Sequence, residues 1–196
     1  TGMRSQAPRH VPGEAGIWIF ILGDMTLYAA LFGSFMIDRR SDVATYNQSA
    51  ATLHVGIGAI NTLLLLTSSV FVAWGVRAVR ERIAAERAPL LFAGAFLCGL
   101  GFVFNKYLEY SALVQDGWLP TTNGFYTYYY VLTGIHLTHV LAGMCVVIFL
   151  WRVSTTSLVQ PFDRVRLVRG VENGASFWHV VDLLWIVLFA LFYLIA

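Results

Sequence analysis

The segment Val55-GIGAINTLLLLTSSVFVAWG-Val76 contains no charged side chain. A helix needs about 20 predominantly apolar residues to cross the hydrocarbon core of a bilayer, so this stretch predicts a membrane-spanning helix. Four further stretches read the same way: about Ala15 to Ile37, Pro89 to Val114, Phe125 to Trp151 and Gly174 to Ala196. Pro89 suits the first turn of a helix, where a missing N–H costs little, and Gly117, Pro120, Asn123 and Gly124 mark a turn before the fourth span. The expected fold class is all-α, an integral membrane bundle of five transmembrane helices. Residues 15–196 form its single domain, behind a tail at 1–14.

Composition agrees. Hydrophobic residues are 58% of the 196 and charged residues 12%, against roughly 25% charged in a soluble domain. Too few charges remain to coat a soluble fold, and a net charge of +2 gives no footprint for nucleic acid. Cys98 and Cys145 lie inside apolar blocks without C-x-x-C spacing, as small hydrophobes do. The first block is too long for a cleavable signal peptide and no small-residue cleavage pattern follows it.

Arginine placement predicts the orientation. Arg4 and Arg9 precede the first span; Arg77, Arg80, Arg82 and Arg87 follow the second; Arg152, Arg164, Arg166 and Arg169 follow the fourth. These alternate segments share one side. The other side carries Arg39 and Arg40, offset by Asp38 and Asp42, and a short loop with Asp116. Basic loops stay cytoplasmic, so the N-terminus is expected in the cytoplasm, the tail 1–14 with it, and the C-terminus outside.

Charged side chains inside a bilayer cost roughly 2.5–3.5 kcal/mol each on insertion scales and need a reason. Asp24, His136, His139, His179 and Asp182 all fall in the middle or cytoplasmic half of their spans. His136 with His139, and His179 with Asp182, are spaced i,i+3, so each pair shares a helix face. Such groups serve as interhelical clamps, as proton-handling groups, or as metal ligands on facing helices; the spacing leaves all three open. Haem fits less well, because one helix cannot ligate both faces of a haem through His136 and His139. Lys106 and Glu109, also i,i+3, fall near the outer interface and are expected to form an interfacial ion pair there. Gly94, Gly99 and Gly101 predict a close helix approach. The run Thr67-Ser68-Ser69 has hydroxyls to spend on its own helix or across a contact.

Four motifs carry a resemblance. Ser176-Phe-Trp-His-Val-Val-Asp-Leu-Leu-Trp185 resembles Y-W-H-F-V-D-x-x-W. Thr133-Gly-Ile-His-Leu-Thr-His139, with Gly143, resembles T-G-F-H-x-x-H-V-x-x-G. Asn105-Lys-Tyr-Leu-Glu-Tyr110 occupies the place of an E-Y segment, and Asn61-Thr with Leu64, Ser68 and Trp74 resembles N-T-x-x-L-x-x-S. In this order they resemble the cytochrome c oxidase subunit III family of the haem-copper oxidases, in its five-helix rather than seven-helix form. The family's membrane-embedded carboxylate, in a motif like I-S-E, falls on Leu22-Gly-Asp24, an acid shorter by one methylene. The opening Pro12-Gly-Glu-Ala-Gly-Ile-Trp-Ile-Phe20 is similar to the NorE-type branch associated with bacterial nitric oxide reductases.

The resemblance implies an accessory subunit of a respiratory complex in the bacterial inner membrane, with no active site, haem, copper or other metal of its own. Its partner is a haem-containing catalytic subunit, an oxidase with haem and copper or a nitric oxide reductase. The implied role is to support that partner's stability and proton uptake and to bind phospholipid. Arg77, Arg80 and Arg152 are the candidates to hold lipid headgroups, and Asp24 the candidate to hold a proton. Two other readings compete: an independent metal-binding protein or transporter built on the His/Asp cluster, and an assembly factor absent from the mature complex.

Overall fold

The structure, a computed structural model, describes residues 15–81, 85–157 and 164–195. The tail 1–14, with Arg4 and Arg9, lies outside the described residues, as do Arg82 and the side chains of Arg164 and Arg166. The helices are α1 (Ala15–Ser41), α2 (Val43–Ala50), α3 (Val55–Glu81), α4 (Ala88–Gln115), α5 (Gly124–Ser157) and α6 (Arg164–Phe189). All but α2 are long and apolar enough to cross a membrane. The long helices have 26 to 34 residues, or roughly 40–50 Å at 1.5 Å per residue. They therefore outreach a hydrocarbon core of about 30 Å and must tilt or protrude.

The boundaries have local causes. At the end of α4, Gly117 takes φ +84°, its N–H bonds to Val114 O at 3.1 Å, and Trp118 N–H bonds to Leu113 O at 2.9 Å. This pattern needs a left-handed residue, which glycine supplies without strain. Asn123 Oδ1 then accepts from Tyr126 N–H at 3.2 Å and starts α5. Between the first two spans lies the short α2. Asp42 caps it by accepting from Thr45 N–H at 3.2 Å. The Thr45 hydroxyl first, and that N–H second, hold the exposed Asp42 carboxyl below its ordinary pKa, so its help to α2 is present at neutral pH and fades as acid protonates it. The last helix starts ten residues before the expected Gly174, at Arg164, because its charged first turns need no burial in lipid.

Helices α3 to α6 pack as a ring in which α3 lies beside α4 and α6, and α5 beside the same two. α1 rests on α5 and α6, with Ile19, Leu22 and Ile37 exposed. α3 and α5 end, and α1, α4 and α6 begin, at one arginine-rich end of the bundle; α2 lies at the opposite end. Between helices in lipid the hydrophobic effect contributes little, and close packing with interhelical hydrogen bonds does the holding.

Trp178 of α6 shows how. Its ring is fully buried, seated on Gly143 of α5 and Gly99 of α4, where an added Cβ would lie 2.6 and 3.2 Å from it. Its Nε1 donates to Ser68 Oγ of α3 at 3.0 Å, and Ser68 donates to Ala95 O of α4 at 3.1 Å. One side chain thus ties together four helices. Two turns on, Trp185 Nε1 donates to Thr62 Oγ1 of α3 at 3.0 Å, and its ring stands at 87° to Phe102 of α4. On α4, Gly94 admits Phe71 and Gly101 admits Leu64, both from α3.

Gly143→Ala should therefore lower stability by about 1–3 kcal/mol through overpacking, read as a lower thermal midpoint in detergent. Gly134→Ala, on the same helix with nothing within 4 Å of a new Cβ, should leave the midpoint unchanged or raise it. Equal effects from the two would show that Trp178 is not seated as described.

Candidate functional site: polar clusters inside the bundle

The first cluster centres on Lys106 and Glu109 of α4, one turn apart on one helix face. They are 1% and 3% exposed, so the pair is sealed inside the bundle, where aromatic side chains of α5 and α6 cover the end of α4. Lys106 Nζ donates to Glu109 Oε2 at 2.8 Å, to Tyr129 OH at 3.0 Å and more weakly to Tyr193 OH at 3.5 Å. Tyr193 in turn donates to the other Glu109 oxygen. The ammonium also lies 4.8 to 5.2 Å from the ring centroids of Tyr110, Tyr129 and Trp185, where the ring faces attract a cation. Tyr110 bonds Thr133 at 2.6 Å and Thr133 returns to the Tyr129 carbonyl. A desolvated ion pair survives only if its remaining donors and acceptors are also met, and here α4, α5 and α6 supply them.

The second cluster joins α1 to α5. Asp24 Oδ1 and His139 Nε2 are 3.2 Å apart, with side chains 8% and 17% exposed. His139 Nδ1 lies 2.9 Å from the Ile135 carbonyl. A carbonyl only accepts, so Nδ1 carries a hydrogen. Nε2 is then the ring nitrogen that faces the Asp24 carboxyl.

The third cluster lies between α3 and α6. His179 Nδ1 meets Ser69 Oγ at 2.6 Å, and buried Asp182 lies next to that hydroxyl without a hydrogen bond to either of its oxygens. Beside it opens a cavity of about 330 Å³ that Arg77, Arg80, Glu172, Ser176 and His179 help to line. Ser69 with His179 is a nucleophile–base pairing in composition only. Ser69 sits in mid-helix, where neighbouring N–H groups are spent on i→i−4 bonds and none is left to stabilise an oxyanion.

His136 belongs to none of these. It is fully buried, bonded at neither ring nitrogen, and boxed by Phe102 and Trp185 at 5.6 and 5.4 Å between centroids. These five residues thus fall in three places, Asp24 with His139, His179 with Asp182, and His136 alone, and among the described residues no three His, Cys, Asp or Glu side chains converge. Arg77 and Arg80 share a cavity, with Arg77 bonded to Glu81 at 3.0 Å, while Arg152 is exposed at the end of α5. Sequence reasoning missed Tyr129, Tyr193, Tyr110 and Thr133. Tyr129 and Thr133 were legible as polar tips facing the way of His136, seven and three residues before it along α5. Tyr193 was not, because a π turn over Ala190–Leu194 sets its direction.

Five apolar spans held together by internal polar clamps, with the aromatic, histidine and carboxylate residues in this order, define a multi-pass membrane subunit. The cytochrome c oxidase subunit III family matches residues 12–196. Cytochrome c oxidase subunit 3 of Synechocystis is 30% identical, with 95% of this chain and 82% of that protein aligned. Subunit 3 of the cytochrome bo(3) ubiquinol oxidase of Pseudomonas putida is 27% identical, with 92% and 84% aligned; cytochrome c oxidase subunit 3 of Corynebacterium diphtheriae is 28% identical, with 93% and 87% aligned. The chain belongs to the cytochrome c oxidase subunit III family, accessory subunits of haem-copper respiratory oxidases, and is a multi-pass protein of the bacterial inner membrane. Membership favours this reading over an independent metal protein or transporter.

Lys106→Met would leave Glu109 as an unpaired buried carboxylate. It should cost about 3–5 kcal/mol, read as a lost thermal transition or failure to accumulate in membranes. Lys106→Met with Glu109→Gln should recover most of that loss. A single variant as stable as the parent would show that the pair is not desolvated.

Proposed function

We propose that the chain is a permanent accessory subunit that steadies a haem-containing catalytic subunit and its proton supply. The observation that carries this reading is a match across residues 12–196, all five spans, to proteins named as oxidase subunits. The partner reduces oxygen, or nitric oxide if the chain belongs to the NorE-type branch suggested by its opening segment.

On the orientation the arginines favour, the arginine-rich end faces the cytoplasm. There Arg77, Arg80 and Arg152 hold lipid phosphates. A wholly apolar groove of about 380 Å³ between α4 and α5, lined by Phe92, Phe96, Leu97, Val147, Ile148 and Trp151, suits an acyl chain, and Arg152 follows Trp151 at its end. The Asp24–His139 pair buffers a single proton between α1 and the bundle.

Capture of the tagged chain in mild detergent, with haem spectroscopy and mass spectrometry, tests the reading. A co-purifying haem-containing catalytic subunit is expected, and its identity separates oxygen from nitric oxide. Recovery of the chain alone would overturn permanent membership and favour an assembly factor. Asp24→Asn tests the proton role. The amide still bonds His139 Nε2 as a donor but has no acid proton, so assembly should persist while sustained turnover falls. Unchanged turnover would sink the buffering role.

A further inference from the structure

The Lys106–Glu109 cluster is closed, with every charge met inside the bundle. The cluster between α3 and α6 is built differently. It is open at one end and incomplete at the other. At the open end lies the α3–α6 cavity, with exposed Arg77 and Arg80. At about 330 Å³ it has room for several waters, each taking about 30 Å³ in the liquid. His179 lines its wall and reaches Ser69 at 2.6 Å. At the inner end Asp182, one turn along α6 and 4% exposed, lies against Ser69 with both oxygens idle. A buried carboxyl with idle oxygens is costly, and a clamp would have used them.

We infer that Asp182, Ser69 and His179 form a proton relay that puts a carboxyl buried in the bundle in exchange with the α3–α6 cavity. The transfers balance. Asp182, as the acid, gives its O–H proton to Ser69 Oγ while Ser69 passes its own hydroxyl proton to the Nδ1 lone pair of His179. The imidazolium so formed releases its Nε2 proton to water in the cavity. Asp182 ends as carboxylate, Ser69 as alcohol and His179 as the other neutral tautomer, and one proton has left. The Ser69–His179 bond fits the loaded state, and the first transfer needs the Asp182 carboxyl to turn onto the Ser69 hydroxyl beside it. Around the relay, α3 contributes Arg77 and Arg80 and α6 contributes Glu172. The relay uses this chain alone and is independent of the partner's identity.

Hydrogen–deuterium exchange of protonated carboxyls, followed by infrared spectroscopy on the full chain in lipid bilayers, tests it. Asp182→Asn should remove one protonated-carboxyl band and so assign it. Ser69→Ala should keep that band but slow its shift in heavy water by about tenfold or more, the effect of losing a positioned proton carrier. Ser69→Thr, which retains the hydroxyl, should restore the rate. His179→Phe should slow exchange like Ser69→Ala and serves if that variant does not insert. An Asp182→Asn spectrum that loses no band, or exchange as fast without the Ser69 hydroxyl or the His179 ring as with them, overturns the relay.

Discussion

A polar side chain inside a bilayer has no water to bond. In this chain small hydroxyls such as Thr26 and Thr138 bond their own helix, while the larger polar groups find a partner on another helix or stay unpaired at a price, and the bundle is arranged around that choice. Lys106 is the extreme case. Its ammonium sits among three aromatic rings and bonds Glu109 and Tyr129, so α5 and α6 cannot move away from α4 without exposing a charge to hydrocarbon. The indoles of Trp178 and Trp185 obey the same rule more gently, each spending one N–H on a hydroxyl of α3. Glycine then brings the backbones close enough for these short polar side chains to reach. The Trp178 ring occupies space that any Cβ at Gly143 would fill.

α1 stands apart from this logic. It meets the ring of helices along one edge, where Asp24 lies 3.2 Å from His139 of α5. Further along, Asp38 accepts from Tyr128 of α5 at 2.8 Å, and Arg39 donates to the Ile195 carbonyl at 2.7 Å. α1 is thus held at points along its length by single polar contacts rather than by a caged ion pair.

The architecture was legible because length and apolarity are properties of single segments. Each span is read without knowing what it touches, and the charged interruptions fixed their order. The extent of α6 was not legible, since Arg164, Arg166, Arg169 and Glu172 break the apolar run with charge over turns that are nonetheless helical. The polar residues themselves were visible, but their partners were not, because partners lie on other helices. Lys106 and Glu109 read as a pair from their spacing. That the pair is buried depends on Tyr129 from α5 and Tyr193 from α6, which no spacing along α4 reveals. Likewise His139 and His136 share a helix face by count, yet one reaches a carboxyl and the other only aromatic rings.

The π turn at the end of α6 has a further consequence. Over Ala190–Leu194 the backbone bonds from residue i to i+5, as in Ile195 N–H to Ala190 O at 3.0 Å. Relative to an α-helix this spends one extra residue, and each residue turns a helix by roughly 100°. Tyr193 faces Glu109 because of that surplus. Deleting any one apolar residue between Phe189 and Tyr193 would leave composition and span length nearly intact while turning the phenol away from the ion pair. At this end of the chain, counting matters more than chemistry: swapping one aliphatic residue for another is mild, whereas a change in length is severe.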